Sequence, residues 1–416
     1  MTLTSSSSQT TSQTTSHSTL IDGSVTSAHG FRAGVLAAGI KASGNLDLGL
    51  WASDEPAVAA ATFTQNAFPA APVIVSRERV RANPRAQAVV FNAGNANACN
   101  GNDGYTDARE MTRLAADVLR VADDLVLVAS TGIIGVPLPM DKIRAAIPRL
   151  TLSRDSGHDA ARAIMTTDTR PKEAAVALEI GGREVRIGAM TKGVGMIHPN
   201  MATMLAYIGT DAALDPEFAR VALTRAVERS FNMITVDGDT STNDSCFLLA
   251  NGASGAATLS VGSAEADRFL AALEDICVTL ARKMAADGEG ATKLLQVDVT
   301  GAASDADARA AARAVVGSSL VKAALHGSDP NWGRVFAAVG NSSAHVDFLK
   351  AALWIGSVQV ARDGISTGVS KAEASAQMSG EEVNFRVDLG LGDASARAWG
   401  CDLTEAYVVE NSAYST

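Results

Sequence analysis

The sequence predicts an α+β protein in which helices lie over β-sheets. Short apolar runs, separated by turns that contain glycine and asparagine, alternate with amphipathic helical segments, which is typical of mixed structure and not of a repeat array. Several of the apolar runs contain no alternating polar residues, so their strands are expected to be buried on both faces. The 416-residue chain is 47% hydrophobic and 19% charged, which suffices for two or three lobes with substantial cores.

Capping residues mark the starts of three predicted helices. Asp107 and Glu110 form a capping pair ahead of an apolar stripe. Asp215 starts the second helix, because the proline that follows it suits the first helical position. Ser263 starts the third. The residues that recur at helical spacing are Met111, Leu114, Ala115, Val118 and Leu119 in the first helix and Phe269, Leu273, Ile276, Cys277, Leu280 and Met284 in the third.

Five apolar runs are predicted to be strands. They are residues 88–91, 125–129, 204–208, 246–250 and 294–299. Glycine-rich segments at 252–262 and just after residue 300 are the predicted linkers, and the second of these precedes another helical stretch. The chain is therefore expected to stack layers of helices on layers of sheet.

Charge and cysteine usage argue against several classes of protein. A net charge of −10 does not suit a nucleic-acid partner, which requires clustered cations. The four cysteines lie far apart, which fits a reducing compartment and neither a disulfide framework nor a zinc site, and no metal is expected. No run of 18 apolar residues is present, so a soluble, cytoplasmic protein is expected. Residues 1–20 are predicted to form a disordered Ser- and Thr-rich tail.

The bond between Ala202 and Thr203, within residues 192–211, is the most informative position. Taken alone, Thr203 is an ordinary β-branched residue that enters a strand after a turn containing glycine and proline. If the chain is cut before it, the threonine carries a hydroxyl and an α-amine on one residue and supplies its own general base. With a reference pKa of about 8, on the order of a tenth of such amines are unprotonated near neutrality.

Residues 192–212 resemble the self-cleavage region of the ornithine acetyltransferase family, also called the bifunctional glutamate N-acetyltransferase family, whose precursors split between Ala and Thr. Other segments are similar to the family in the same order. They are residues 34–73, 91–104, 130–135, 165–172, 287–293, 329–334 and the extreme C-terminus. Only about the first 20 residues fall outside the resemblance.

The resemblance implies a fold and a division of the chain. The fold is a layered α-β-β-α sandwich of the N-terminal-nucleophile type, with a smaller C-terminal α/β lobe from about residue 300. Cleavage would give an alpha chain, residues 21–202, and a beta chain, residues 203–416. The two chains are expected to stay together and to pair into a heterotetramer.

The resemblance also implies the residues of the site. Thr203 is the nucleophile, and Thr131 with Gly132, after an apolar strand, forms the oxyanion hole. An amino-acid substrate needs a cation and an anion, and Lys192 and Glu289 match the family's positions for them. The remaining substrate contacts implied are Thr166, for which the neighbouring Thr167 is an alternative, Asn411 and Thr416.

The activity implied is transfer of acetyl from N2-acetylornithine to glutamate through an acetyl-threonine, as a step of arginine biosynthesis. No bound cofactor is needed, and acetyl-CoA is possible as a second donor. An N-terminal-nucleophile aminopeptidase or amidohydrolase of similar fold is an alternative, as is a paralogue that serves a specialised amino-acid pathway or only binds amino acids. His198 is expected to have no catalytic role. Asp237, Asp239 and Arg334 are expected to belong to structural loops and are only weak candidates for site residues.

Overall fold

The computed structural model describes residues 17–198 and 204–413. Strands form two sheets. The strands are β1 (His17–Thr19), β2 (Phe31–Leu36), β3 (Leu48–Phe63), β4 (Arg85–Asn95), β5 (Val126–Ile133), β6 (Lys172–Ile180), β7 (Arg183–Lys192), β8 (Leu205–Thr210), β9 (Ile234–Thr235), β10 (Ser245–Ala250), β11 (Leu294–Ala302), β12 (Ala352–Ile355), β13 (Val358–Arg362), β14 (Ile365–Ser366), β15 (Glu382–Asp388) and β16 (Ala394–Cys401).

Helices pack against these sheets. They are α1 (Ala71–Ala82), α2 (Gly101–Leu119), α3 (Met140–Ala146), α4 (Gly157–Ala163), α5 (Pro216–Arg229), α6 (Ala264–Ala286), α7 (Asp305–Gly317), α8 (Ser319–His326), α9 (Trp332–Gly340), α10 (Lys371–Ala376) and α11 (Glu405–Ala413). None of the helices in the described part of the chain is both long and apolar enough to cross a membrane.

The first sheet has the strand order β1-β6-β7-β8-β10-β3-β4-β5, with β2 paired to β3. Its two halves pack face to face, because the Phe91 ring of β4 lies 5.5 Å from the Tyr207 ring of β8, although β10 and β3 separate these strands in the sheet. Alternate residues of a strand point to different cores. Phe247 of β10 and Phe91 of β4 share an inner core, whereas Leu248 faces a core that contains α5 and α6, and Val90 faces one that contains α2. Four layers result, helices, sheet, sheet and helices, which confirms the predicted sandwich and the burial of its strands on both faces.

The second sheet has the order β14-β13-β12-β15-β11-β16-β9. It carries α7 against β11 and β16, and its apolar residues continue the core that lies under α5 and α6. The described C-terminal residues therefore add a smaller α/β unit to the sandwich. How the chain divides into domains stays a prediction.

Local sequence signals identified some of these elements. Asp215 caps α5 by accepting hydrogen bonds from the amides of Glu217 and Phe218, and Ser263 caps α6, as predicted. The five predicted strands lie in β4, β5, β8, β10 and β11. The predicted start of the first helix was wrong: α2 begins at Gly101, and Asp107 lies within it. The residues ahead of Asp107 already have helical geometry, so the capping pair does not mark the boundary.

Candidate active site

A cavity of about 410 Å³ lies at the edge of the first sheet, where β5 and β7 end. Such a volume is in the ordinary range for small-molecule sites. The residues predicted from sequence that line it are Thr131, Gly132, Thr166, Lys192, Glu289 and Asn411. Three further predicted positions, Ala202, Thr203 and Thr416, lie outside the described residues. The structure thus brings together the predicted residues that it describes.

The oxyanion candidates sit where β5 passes beside β4. Gly132 has a φ of 131° and pairs with Gly94, and a Cβ at Gly132 would come within 2.3 Å of the Gly94 carbonyl carbon. Only glycine fits this backbone and this approach. The strand end is held by Asn243, whose side-chain amide donates to the carbonyl oxygens of Ser130 and Ala96 at 2.8 and 2.6 Å.

Lys192 is the buried cation of the cavity. Its side chain is 4% exposed, and its ammonium donates to the hydroxyls of Thr166 at 2.9 Å and Thr131 at 3.3 Å. A carboxylate oxygen of Asp168 lies 4.0 Å away. Burial lowers the pKa of Lys192, and the Asp168 carboxylate opposes that shift. The ammonium therefore faces the cavity with hydroxyl partners and one compensating charge nearby.

Behind Lys192 lies a charge network that sequence reasoning missed. The buried Lys172 ammonium is 2.6 Å from Asp168 Oδ1 and 2.6 Å from Asp287 Oδ2. Asp168 also accepts from the amide of Gly193 at 2.9 Å, next to Lys192. Burial pushes the pKa of Asp168 upward, but Lys192 and Lys172 outweigh burial and leave that pKa below its usual value. Asp168 therefore stays ionised and fixes the end of β7.

Glu289 is an acidic residue of the cavity, on the turn that follows α6. Its carboxylate accepts from the Thr167 hydroxyl at 2.7 Å and from the Asn411 side-chain amide at 2.9 Å. Its amide donates to the carbonyl of Val194 at 2.9 Å. Thr166 contacts Lys192 and Thr167 contacts Glu289, so both threonines belong to the site.

Gly195 makes room for that carboxylate, since a Cβ there would lie 2.4 Å from Glu289 Oε2. We expect Gly195→Ala to keep the fold, because the carboxylate is the mobile end of a side chain, but to break its bonds to Thr167 and Asn411. For a substrate that Glu289 contacts, loss of hydrogen bonds to this charged group predicts a KM raised by about tenfold or more. Steady-state kinetics measure this. Gly333→Ala is the control, since its nearest neighbour is 3.7 Å away; equal kinetics in the two variants would contradict the prediction.

Two aspartates that the sequence assigned to loop architecture also line the cavity. Asp237 accepts from the amides of Met196 and Ile197 at 2.5 and 2.9 Å, and so holds the loop that leads towards the predicted cleavage bond. Burial raises the pKa of Asp237. Asp239 and the α11 residue Tyr407 complete this wall.

The other minor candidates lie elsewhere. Arg334 donates to the carbonyl of Leu320 and does not line the cavity. His198 is half-buried, with its imidazole 3.3 Å from the Thr235 hydroxyl, and burial lowers its pKa. Neither side chain lines the cavity.

Lys41 is a further cavity residue that the sequence did not single out. Its ammonium donates to the carbonyls of Leu46 at 2.7 Å and Ala163 at 3.1 Å. Burial lowers the pKa of Lys41 to about 8, although Asp47 acts in the opposite direction. In the parts of the chain that the structure covers, no cluster of His, Cys, Asp and Glu is suited to hold a metal ion.

A four-layer sandwich with charged and hydroxyl side chains gathered in a cavity, where β5 and β7 end, is an architecture suited to an enzyme. The chain belongs to the ArgJ family, which it matches over residues 32–416. Family membership confirms the resemblance found in the sequence, and with it the prediction of an acyltransferase of arginine biosynthesis.

Individual relatives agree with this assignment. The arginine biosynthesis bifunctional protein ArgJ of Symbiobacterium thermophilum is 53% identical over 398 residues, covering 95% of this chain and 99% of that protein. The protein of the same name from Dehalococcoides mccartyi is 48% identical, covering 95% and 98%. Among solved structures, the chain is similar to a crystal structure of the arginine biosynthesis bifunctional protein argJ from Bacillus halodurans. The two sequences are 42% identical, the TM-score is 0.48, and the match covers 49% of this chain and 96% of the crystallised chain.

Proposed function

We propose that the chain transfers an acetyl group from N2-acetylornithine to glutamate, with Thr203 as nucleophile after self-cleavage at Ala202–Thr203. The observation that carries the proposal is the position of Lys192. It pairs with Leu205, two residues after Thr203, while its ammonium contacts the Thr131 hydroxyl in the cavity. The names of the relatives support the pathway. An ornithine acetyltransferase of Mycobacterium tuberculosis, 37% identical to this chain, was crystallised in complex with ornithine.

Two of the charged residues that line the cavity suit an amino acid. Lys192 would bind the substrate carboxylate, and Glu289 would bind an ammonium group. Their side-chain hydrogen-bond partners are neutral, namely the hydroxyls of Thr131, Thr166 and Thr167 and the amide of Asn411. A charged substrate group that replaces these neutral partners gains binding free energy, because charge-assisted hydrogen bonds are stronger than neutral ones.

Cleavage would begin when the Thr203 hydroxyl attacks the Ala202 carbonyl carbon. The acyl group shifts from nitrogen to oxygen, and water hydrolyses the ester to free the α-amine. In turnover this amine takes the hydroxyl proton while the oxygen attacks the acetyl group of acetylornithine, and Thr131 and Gly132 stabilise the oxyanion. Ornithine leaves with the proton. The amine of glutamate then attacks the acetyl carbon, the ester bond to the Thr203 oxygen breaks, and the proton of that amine passes through the α-amine to restore the hydroxyl as N-acetylglutamate leaves.

The reaction needs no bound cofactor, and acetyl-CoA is a possible second donor. We infer that the two cleaved chains, 21–202 and 203–416, remain together, because β8 lies within the first sheet. It pairs along Leu205–Thr210 with β7 of the alpha chain, and β10 pairs with β3. A heterotetramer in the cytoplasm, without nucleic acid or membrane as partner, is the assembly that we propose.

Turnover with and without the acceptor tests the proposal. With N2-acetylornithine alone, we expect no more than one equivalent of ornithine and an acetyl group on the chain that begins at Thr203. Adding glutamate should restore continuous ornithine release together with N-acetylglutamate. Continuous release of acetate without glutamate would favour the aminopeptidase or amidohydrolase alternative. Binding of amino acids without any acyl turnover would favour a binding protein.

A further inference from the structure

Lys41 is a second lysine of the cavity, and the proposed reaction does not yet use it. It lines the same cavity as Lys192. Its ammonium donates to two neutral groups, the carbonyl oxygens of Leu46 and Ala163. Among the described residues, none of the pairs between a lysine and a carboxylate involves Lys41. An ammonium has three N–H bonds, so the two carbonyls leave one of them for a ligand.

A buried carboxylate fixes the backbone that carries Lys41. Asp47 has no exposed surface, and its carboxylate accepts from the amides of Ala38 and Ile40, both at 2.6 Å, and from the amide of Lys41 at 2.9 Å. The carbonyl of Asp47 accepts from the amide of Ala93 at 2.8 Å, within β4. The segment that presents Lys41 to the cavity is therefore held against the first sheet, as a binding residue requires.

The wall that Lys41 forms lies beside the oxyanion candidates. A Cβ at Gly94 would come within 3.0 Å of the Lys41 Cγ, and Gly94 pairs with Gly132. Lys192 is within electrostatic reach of this wall and of Glu289: after burial, its charge contributes to the lowered pKa of Lys41, and Glu289 acts against the burial that lowers the pKa of Lys192. A ligand bound through Lys192 can therefore extend towards an anion or towards a second cation.

The two proposed substrates differ in the charge of their side chains. Both have an α-carboxylate, but N2-acetylornithine ends in an ammonium and glutamate ends in a second carboxylate. The ammonium suits Glu289. A carboxylate in the same place would meet a like charge, which costs binding free energy. Glutamate therefore needs a contact for its side chain that ornithine does not use.

We propose that Lys41 binds the side-chain carboxylate of glutamate, while Lys192 holds the α-carboxylate, so that Lys41 determines specificity for the acceptor. The inference rests on the proposed function and deepens it by giving donor and acceptor different side-chain contacts. The remaining N–H bond of Lys41 supplies a charge-assisted hydrogen bond to the carboxylate. Because the pKa of Lys41 is lowered only to about 8, about nine in ten of these side chains are charged at pH 7.

Lys41→Met removes the charge and keeps the apolar stem. Exchange of labelled ornithine into N2-acetylornithine, measured without glutamate, uses only the donor half of the reaction, and we expect it to be unchanged. Glutamine has the shape of glutamate without the charge. The preference for glutamate over glutamine, as a ratio of kcat/KM values, should fall by about tenfold or more, because only glutamate loses a hydrogen bond between charged groups.

Lys142→Met is the control for loss of a nearby lysine. Lys142 donates to the carbonyl of Gly39, two residues before Lys41, and does not line the cavity. We expect exchange and acceptor preference to stay as in the wild-type enzyme. An unchanged preference in Lys41→Met, or equal losses in exchange and in transfer to glutamate, would overturn the inference and leave the proposed function intact. A wild-type enzyme that does not exchange ornithine would contradict the proposed function instead.

Protection of Lys41 in the wild-type enzyme tests the same contact without a substitution that could disturb folding. Glutarate carries both carboxylates of glutamate and no amine, whereas butyrate carries one carboxylate. An amine-selective reagent, followed by mass spectrometry of the peptide that contains Lys41, measures its rate of modification. We expect glutarate to slow this rate and butyrate at the same concentration to leave it unchanged. Equal rates with the two acids would refute the inference, and this readout does not depend on turnover.

Discussion

Replacing Thr203 with alanine is expected to leave one uncut 416-residue chain without transferase activity. Without the hydroxyl, the Ala202 carbonyl has no internal nucleophile, so the α-amine is never released. The variant therefore lacks both the nucleophile and the base. Groups that act as a unit fail together, so we expect turnover to fall by at least about 10⁴-fold. Denaturing gels, N-terminal sequencing and ornithine release measure the two effects.

Thr203→Ser is the matched control, because serine keeps both the hydroxyl and, after cleavage, the α-amine. We expect this variant to be cut and to retain measurable turnover. Full activity in Thr203→Ala would refute the assignment of the nucleophile. Normal cleavage of Thr203→Ala with lost turnover would show that cleavage and catalysis use different groups.

The fold could be predicted from the sequence to the extent that its signals are local. The Asp215 and Ser263 caps and the apolar runs of the buried strands depend on neighbours within a few residues, and all of them appear in the structure. The start of α2 could not be placed, because Gly101 and Asn102 carry no helix-favouring signal of their own. The face-to-face packing of the first sheet was implied only by resemblance to a family.

Some residues of the candidate site could likewise be predicted from the sequence, and others could not. The cation and the anion, Lys192 and Glu289, were found through motifs shared with the family, and both line the cavity. The network around Lys172 was missed, because Lys172 and Asp287 are 115 positions apart and meet only through tertiary packing.

Lys172→Met is expected to cause the largest loss of stability among the substitutions considered. The ammonium is 1% exposed and lies between two buried carboxylates, those of Asp168 and Asp287. Methionine fills a similar volume but leaves two negative charges near each other without their shared cation. Breaking a buried ion pair on one side costs about 3–5 kcal/mol, which urea unfolding at pH 7 would show as a lower midpoint.

The pH dependence of this loss identifies its cause. In the wild-type protein the pKa of Asp168 is lowered, so its contribution to stability is present above the unfolded value of about 3.9 and is lost as pH falls through the folded pKa. In the variant, burial without Lys172 should raise the pKa of Asp168, which destabilises the fold increasingly as pH rises. The difference between the two proteins should therefore be small near pH 4 and large at pH 7.

Lys322→Met provides the comparison, because Lys322 is also buried but donates to the carbonyl and thiol of Cys401. Within the described residues it makes no ion pair with a carboxylate, so its removal leaves no buried anion without its cation. We expect a smaller loss that differs little between pH 4 and pH 7. Equal losses at the two pH values in Lys172→Met would mean that packing, and not uncompensated charge, accounts for the stability that Lys172 provides.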